Sequence, residues 1–258
     1  MKIQFSLVVL LILGLAACSS HEYEKQKGIS LEQTNENVNS NELENNQQFK
    51  DLQTRPGKVL YTGHKEHRLV SIFKLNYSPK TKKYFTGSNA YHTIYSYNEY
   101  TGNHYTNFMP GLEATYGYNM LNISHYNRDS NENNLFFEKP VLINNLYYPS
   151  ESQDSLNNQP ITRDYYLVSV YDEDSNNDSL INHKDLRRLY HFDIDGKNKS
   201  LLIPKKYSVM GSQYDTNNDH MLIRARLDKN ENGSIDENDA IHIFWIDLKK
   251  PKEGVRLY

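Results

Sequence analysis

The sequence predicts an all-β fold of antiparallel strands, and three observations support this prediction. Tyrosine is abundant, with 21 copies in 258 residues, and together with Val, Ile and Phe it favours half-buried strands over long helices. After residue 56, short apolar segments alternate with turn-forming residues, and none sustains a helical period beyond about two turns. A unit of strand and acidic loop also recurs at a fixed spacing. We therefore expect an antiparallel β-repeat.

The first 17 residues have the pattern of an export signal. Lys2 supplies a positive charge, residues 3–13 form an apolar run too short to favour a membrane-spanning helix, and Leu15-Ala16-Ala17-Cys18 follows. Small residues before a cysteine resemble the lipobox of bacterial lipoproteins. The resemblance implies cleavage before Cys18, a lipid on that cysteine and, because Ser19 follows it, attachment to the outer membrane. The alternative is an ordinary signal peptide with an incidental cysteine.

Composition separates residues 18–56 from the rest of the chain. Nine of the sixteen residues from 33 to 48 are Asn or Gln, and the apolar residues among them are isolated. Such a segment buries too little apolar surface to offset its conformational entropy. We therefore expect residues 18–56 to form a disordered, lipid-anchored tether, with a short helix near residues 43–52 as the alternative. Residues 57–258 are then the folded domain.

The candidate strands of this domain mix β-branched and aromatic residues. They are residues 59–62, 68–75, 93–97, 120–126, 165–171, 189–194, 221–227 and 241–248. Turn-like segments, such as residues 100–103 and 195–198, separate them. The best candidate for a short helix is residues 184–188.

Two twelve-residue segments, 174–185 and 228–239, have the oxygen spacing of a calcium-binding loop. Oxygen-bearing side chains occupy positions one, three, five, nine and twelve, and position seven offers its backbone carbonyl. The predicted ligands are Asp174, Asn176, Asp178, the Leu180 carbonyl, Asn182 and Asp185 in the first segment, and Asp228, Asn230, Asn232, the Ser234 carbonyl, Asp236 and Asp239 in the second. Each segment is expected to hold Ca²⁺. The alternative is plain Asn- and Asp-rich turns, of the kind that residues 215–219 represent.

Two further positions of these segments affect the expected geometry. Gly233 stands at the sharp reversal of the second segment, where a side chain would be strained, whereas Ser179 replaces it in the first. We expect Ile235, at position eight, to anchor the second segment in the core.

The two segments lie in a repeat with a spacing of 54 positions, because Asp174 aligns with Asp228. The flanking strands align as well, residues 167–168 with 221–222 and residues 189–194 with 243–248. Residues 127–133 form a fainter copy that lacks a matching closing acid, and we interpret it as a degenerate or metal-free copy.

Both segments resemble EF-hand and dockerin-type calcium loops, with two departures from the EF-hand. Each closes on aspartate where the EF-hand prefers glutamate, and each follows a predicted strand and not a helix. The pair of helices with which a calcium sensor opens is therefore missing from the prediction. This favours an ion that stabilises the fold over an ion that carries a signal.

The repeat unit also resembles a blade of the periplasmic propellers of the Tol–Pal system. The resemblance covers about residues 160–258, where a strand ends in aspartate within residues 190–196 and again within residues 244–249. It implies propeller-like blades, closed or partial, with the calcium loops as inserts. A β-sandwich is the alternative.

Motifs for catalysis are missing, and a net charge of -3 gives no reason to expect nucleic-acid binding. His64 and His67 match no zinc-protease motif. One tyrosine-rich region could form an aromatic platform for a glycan or peptide, comprising Tyr91, Tyr95, Tyr97, Tyr100 and Tyr105. We expect a non-catalytic scaffold or binding module in the cell envelope, with a membrane lipid anchor and an envelope protein or glycan as partner. The alternative is an envelope hydrolase or glycan-active protein with scattered catalytic residues.

Overall fold

The structure is a computed structural model that describes residues 28–31, 52–78, 81–86, 89–91 and 109–258. Within these ranges every extended regular element is a β-strand, and all of the strand pairs are antiparallel. The predicted all-β, antiparallel class is therefore confirmed. Cys18, the export signal, most of the tether and most of the tyrosine-rich region lie outside the described residues.

The strands fall into two large sheets and two small pairs. The largest sheet contains β2 (Thr54–Tyr61), β3 (His67–Ser78), β4 (Lys83–Thr86), β5 (Asn89–Tyr91), β6 (Leu112–Asn127), β7 (Glu132–Leu135), β8 (Leu142–Pro149), β11 (Tyr165–Tyr171), β13 (Arg188–Asp193) and β14 (Ser200–Leu201). The second sheet contains β15 (Tyr207–Asp215), β16 (His220–Leu227), β17 (Ile241–Asp247) and β18 (Val255–Arg256). The small pairs are β1 (Ile29–Ser30) with β12 (Leu180–Ile181), and β9 (Asp154–Leu156) with β10 (Gln159–Ile161).

The order of strands in the large sheets is close to their order along the chain. The main path of the ten-stranded sheet is β14-β13-β11-β8-β6-β3-β2, and the four-stranded sheet runs β15-β16-β17-β18. Neither path closes on itself, and the described residues show neither a closed barrel nor a ring of propeller blades. Two packed antiparallel sheets agree with the sandwich alternative.

Strand β11 lies near the middle of the ten-stranded sheet and is buried on both faces. Successive side chains of a strand point to opposite faces, so its residues divide between two apolar clusters. Tyr165 and Leu167 belong to one cluster, and Tyr166, Val168 and Val170 belong to another. This double burial explains why the strand is almost continuously apolar.

One of these clusters lies between the two large sheets. Leu167 and Leu189 contribute from the ten-stranded sheet, and Met221, Ile223 and Phe244 contribute from the four-stranded sheet, each at most 3% exposed. Burying a side chain of this size stabilises a fold by about 1.5–3 kcal/mol relative to its exposure. The two sheets therefore share a core.

A buried ion pair also joins the two sheets. The Arg163 guanidinium donates to both carboxylate oxygens of Asp219, at 3.0 and 2.7 Å, and both side chains are 3% exposed. The same guanidinium donates to the carbonyls of Pro110 and Leu248, and the Tyr214 hydroxyl donates to Asp219. A buried ion pair is tolerated when its remaining donors and acceptors are satisfied in this way.

The predicted repeat corresponds to two hairpins that carry their acidic segments in the same place. Strands β11 and β13 flank residues 174–185, and strands β16 and β17 flank residues 228–239. The strand pairing differs by one residue, because Leu167 pairs with His191 whereas its counterpart Met221 pairs with Ile246 and not with Trp245. The two hairpins belong to different sheets, and the repeat does not extend to an identical strand register.

Two expectations about secondary structure do not hold. Residues 184–188 form no helix, because residues 183–185 lie in a turn and β13 begins at Arg188. A helix of five residues does not recover its nucleation cost unless packing supports it. The tether prediction also fails at residues 28–31 and 54–56, which lie in or beside strands.

Candidate metal centre

The two predicted calcium segments, hereafter loop 1 (residues 174–185) and loop 2 (residues 228–239), each connect neighbouring antiparallel strands. Loop 1 follows β11 and leads into β13, and loop 2 follows β16 and leads into β17. Both loops are therefore held at their two ends by a hydrogen-bonded strand pair. The expectation that each follows a strand and not a helix is confirmed.

In loop 1 the first half of the segment winds around the side chains at positions one, three and five. The Asp174 carboxylate accepts the backbone N–H of Asp178 at 3.1 Å and of Ser179 at 2.9 Å. Asn176 Oδ1 also accepts the Asp178 N–H at 3.1 Å, and Asp178 Oδ1 accepts the Leu180 N–H at 3.0 Å. These bonds draw the backbone into a tight coil around the acidic side chains.

Loop 2 repeats the same four hydrogen bonds at the same positions. The Asp228 carboxylate accepts the N–H of Asn232 at 3.2 Å and of Gly233 at 2.9 Å. Asn230 Oδ1 accepts the Asn232 N–H at 3.3 Å, and Asn232 Oδ1 accepts the Ser234 N–H at 2.9 Å. The shared spacing of the two loops therefore specifies a shared backbone path.

The closing ends of the loops correspond as well. Position nine donates its N–H to the carboxylate at position twelve, from Asn182 to Asp185 at 2.7 Å and from Asp236 to Asp239 at 2.8 Å. In return the N–H of position twelve donates to the carbonyl of position nine, at 3.3 Å in loop 1 and 3.2 Å in loop 2. Six hydrogen bonds are thus common to both loops.

The backbone angles agree with this pattern. Positions four and six have positive φ in both loops, at +58° for Asn177, +65° for Ser179, +58° for Glu231 and +74° for Gly233. Only glycine takes such angles without steric cost, so the three other residues are held there by the loop's hydrogen bonds. Ser179 therefore adopts the reversal that the sequence assigns to glycine.

Loop 1 is the more deeply buried loop at its closing end. Asn182 and Asp185 are both 0% exposed. The Asp185 carboxylate accepts the N–H of Ser175 at 2.8 Å and of Asn176 at 3.4 Å, in addition to that of Asn182. Burial raises the pKa of the Asp185 carboxyl to about 6, although these backbone donors oppose the rise.

In loop 2 three of the predicted ligands converge on one another. Asn230 Nδ2 and Asn232 Nδ2 each donate to Asp236 Oδ2 at 2.9 Å. The side chains at positions three, five and nine are therefore placed to surround a common centre.

The two loops contact each other directly. Ser175 Oγ donates to the Gly233 carbonyl at 2.6 Å and accepts the N–H of Leu186 at 2.8 Å. A Cβ at position 233 would lie 1.7 Å from the Ser175 carbonyl oxygen, so this contact also requires glycine. The sequence pattern alone gives no sign that the loops touch.

The chemistry of the predicted ligands fits Ca²⁺. Each loop offers three carboxylates, two amide side chains and one backbone carbonyl, and all six donors are hard oxygens. Calcium takes about 6–8 such oxygens. Within the described ranges, no three His, Cys, Asp or Glu side chains are grouped so that they could hold a metal ion. Either site therefore depends on its amide and carbonyl oxygens as well as on its acids.

The expected role of Ile235 is wrong. This side chain is 39% exposed, whereas Ile181 at the same position of loop 1 is 2% exposed and packs in the core. The difference arises because Ile181 pairs with Ile29 in β1, while the described residues place no strand beside Ile235.

The histidines of the His64 region form a buried contact that the sequence did not indicate. His67 Nδ1 lies 2.9 Å from His125 Nε2, and His64 Nε2 lies 3.0 Å from an Asp164 carboxylate oxygen. Burial lowers the pKa of both His67 and His125. The paired rings span β3 and β6, which are neighbours in the sheet, so a role in packing accounts for them.

A cleft of about 220 Å³ opens between the two large sheets. Its polar lining includes Asn145, Tyr147, Arg187 and Ser212, and none of the described residues that line it is an Asp or Glu. Arg187 donates to the carbonyls of Val209 and Met210, so two nitrogens of its guanidinium already form hydrogen bonds within the protein. The described part of its lining therefore offers no pair of carboxylates of the kind that a glycosidase uses.

Comparisons with known proteins identify no family. No protein-family model matches this chain, and no curated protein sequence is significantly similar to it. Among the residues that the structure describes, there is also no helix long and apolar enough to cross a membrane.

Proposed function

We propose that this chain is a lipid-anchored protein of the bacterial cell envelope whose all-β domain binds Ca²⁺ in loop 1 and in loop 2. The observation that carries the proposal is the set of six hydrogen bonds that both loops share. Plain turns do not need to agree in this way, as residues 215–219 illustrate, where the Asp215 carboxylate accepts from Asn217 and Asn218 alone. A repeated cage with hard oxygen donors is typical of a calcium site.

The bound ions have a structural role in this proposal. Each loop joins two strands of a stable sheet, and the described elements include no helix pair that calcium could open. An ion that neutralises the carboxylates of a loop lowers their mutual repulsion and fixes the hairpin connection. The domain is then a non-catalytic scaffold or binding module, with an envelope protein or a glycan as partner.

The finer fold assignment within this proposal is a β-sandwich and not a propeller. The apolar cluster that both large sheets share supports it, since facing sheets of a sandwich bury such a layer between them. A ten-stranded sheet is also much larger than a four-stranded blade. The hydrolase alternative gains no support from the inter-sheet cleft, to which the described residues contribute no carboxylate.

The lipid anchor rests on the residues before and after Cys18, which resemble a lipobox. It attaches the mature chain to the outer membrane, as expected from Ser19. Metabolic labelling with palmitate tests it, because the label must be lost in the Cys18→Ala variant. Undiminished label in that variant would exclude lipidation at this residue.

Calcium titration of the purified mature protein tests the metal sites. We expect binding heat from two sites and a rise in Tm of several degrees in about 10 mM Ca²⁺ relative to chelator. For extracellular affinities of about 10⁻⁴ to 10⁻³ M, each site adds about 1.4–2.7 kcal/mol at this concentration. Asp174→Asn and Asp228→Asn should each remove one site. Asp215→Asn, in the plain turn, is the matched control and should retain both.

A further inference from the structure

A short segment from the predicted tether lies against loop 1. Strand β1 (Ile29–Ser30) pairs with β12 (Leu180–Ile181), which occupies positions seven and eight of that loop. The Leu31 N–H extends the pairing by donating to the Ser179 carbonyl at 3.0 Å. Backbone hydrogen bonds therefore connect residues 28–31 to the reversal of the proposed calcium site.

Side-chain packing and a side-chain hydrogen bond also hold residues 28–31 in place, in addition to the short strand pairing. Ile29 is 0% exposed and belongs to an apolar cluster with Leu52, Ile72, Leu121, Leu142 and Ile181. Lys74 Nζ donates to the Gly28 carbonyl at 2.7 Å. A Cβ on Gly28 would lie 2.5 Å from the Ile181 carbonyl oxygen, so the close approach requires glycine. The segment is fitted to this position.

The proposed ion and the docked segment act on the same stretch of backbone. The Leu180 carbonyl is the predicted backbone ligand of loop 1, and Leu180 pairs with Ser30 in β1. An ion in the loop orders this stretch, which reduces the entropy that the loop loses when the segment docks. By linkage, docking must favour ion binding by the same factor.

We propose that Ca²⁺ in loop 1 controls the docking of residues 28–31, which form a strap that closes when the ion binds and releases when it leaves. This inference rests on the proposed calcium binding of loop 1. It adds a conformational consequence that loop 2 does not have, because the described residues place no such segment beside loop 2.

Strap release changes how far the domain can stand from a lipid on Cys18. The chain from Cys18 to Gly28 has ten residues and spans at most about 35 Å, whereas the chain from Cys18 to Leu52 has 34 residues and spans at most about 120 Å. Because Gly28 is held at loop 1 only while the strap is closed, calcium shortens the reach of the domain from the membrane.

Hydrogen exchange of the full mature chain, with 10 mM Ca²⁺ and with chelator, measures strap docking. We expect the amides of residues 29–31 to exchange at least about fivefold faster in chelator. Amides of β11 serve as an internal reference, since six of the seven residues of this strand are buried in the core. Equal protection of residues 29–31 in both conditions would overturn the proposal.

The calcium affinity of loop 1 measures the same coupling, because disruption of strap docking should weaken calcium binding. In an Asp239→Asn background, which leaves loop 1 as the site under test, Ile29→Asp should weaken calcium binding at least about fivefold. Gly28→Ala provides a milder disruption should Ile29→Asp impair folding. Leu31→Ala is the matched control, because Leu31 contacts loop 1 through its backbone N–H, and it should leave the affinity unchanged.

The possible failures are distinguishable. If loop 1 gives no binding heat in the Asp239→Asn background, both the calcium site of loop 1 and the strap proposal are wrong. If it binds calcium equally well with and without the Gly28 and Ile29 substitutions, the site stands and the strap proposal is wrong.

Discussion

The closing carboxylates of loop 1 and loop 2 occupy equivalent positions in very different surroundings. Asp185 is fully buried and accepts backbone N–H groups from Ser175, Asn176 and Asn182. Asp239 is half-buried, and among the described residues it accepts one backbone N–H, from Asp236. The aspartate at position twelve therefore connects the beginning and the end of loop 1, whereas in loop 2 it bonds only to the turn that contains it.

Position eight shows the same contrast. Ile181 is 2% exposed and pairs with Ile29, whereas Ile235 is 39% exposed. Loop 1 is thus part of the core of the ten-stranded sheet, and loop 2 lies at the periphery of the four-stranded sheet. Hydrogen bonds within each loop determine its coiled backbone path. Contacts with residues distant in sequence determine how deeply each loop is packed into the rest of the protein.

Removing the closing carboxylate should separate the two loops most clearly. In chelator, Asp185→Ala leaves the part-buried N–H of Ser175 and the buried N–H of Asn182 without acceptors, at about 1–3 kcal/mol for each group. We expect it to lower the free energy of unfolding by about 3 kcal/mol, and Asp239→Ala by less than about 1 kcal/mol. Urea titration of both variants, in parallel with wild type, measures the difference.

A second substitution serves as the control for the loss of a carboxylate at any position. Asp215→Ala removes an acid from the plain turn, where it accepts from Asn217 and Asn218, and its cost should be close to that of Asp239→Ala. Equal costs for Asp185→Ala and Asp239→Ala would mean that burial does not distinguish the loops.

Much of the fold follows from local pattern. The predicted strand at residues 165–171 has the observed bounds of β11, because six consecutive buried residues leave a continuous apolar signal. The predicted strand at residues 221–227 falls within β16 (His220–Leu227). The coiled path of the two loops also follows from local sequence, because each hydrogen bond of the cage joins residues at most five positions apart.

The features that escaped prediction depend on residues distant in sequence. Strand β8 (Leu142–Pro149) contains Asn144 and Asn145, which look like a turn, and pairing with β6 and β11 overrides that preference. Ile29 is an isolated apolar residue in a polar segment, and only its partners near residues 72, 121 and 181 make it a core residue. Composition predicts that the segment around Ile29 is polar, but it does not predict the apolar cluster in which Ile29 packs.

Position six offers the smallest but sharpest contrast between the loops. Ser179 is held at φ +65°, so Ser179→Gly relieves a left-handed conformation and should stabilise the protein by about 0.5–1 kcal/mol. Gly233→Ala imposes the same conformation at φ +74° and drives a Cβ against the Ser175 carbonyl, and should destabilise it by about 2 kcal/mol. Urea titration in chelator measures both changes without a contribution from bound ion.

Glu231→Gly is the control for backbone strain without the contact between the loops. Glu231 has φ +58° and is exposed, so its replacement by glycine should match the gain from Ser179→Gly. If Gly233→Ala costs no more than the strain that Ser179→Gly relieves, the close contact between Ser175 and Gly233 does not hold the loops together. A larger cost assigns the excess to that contact, and the two loops then behave as one packed unit and not as two independent hairpin ends.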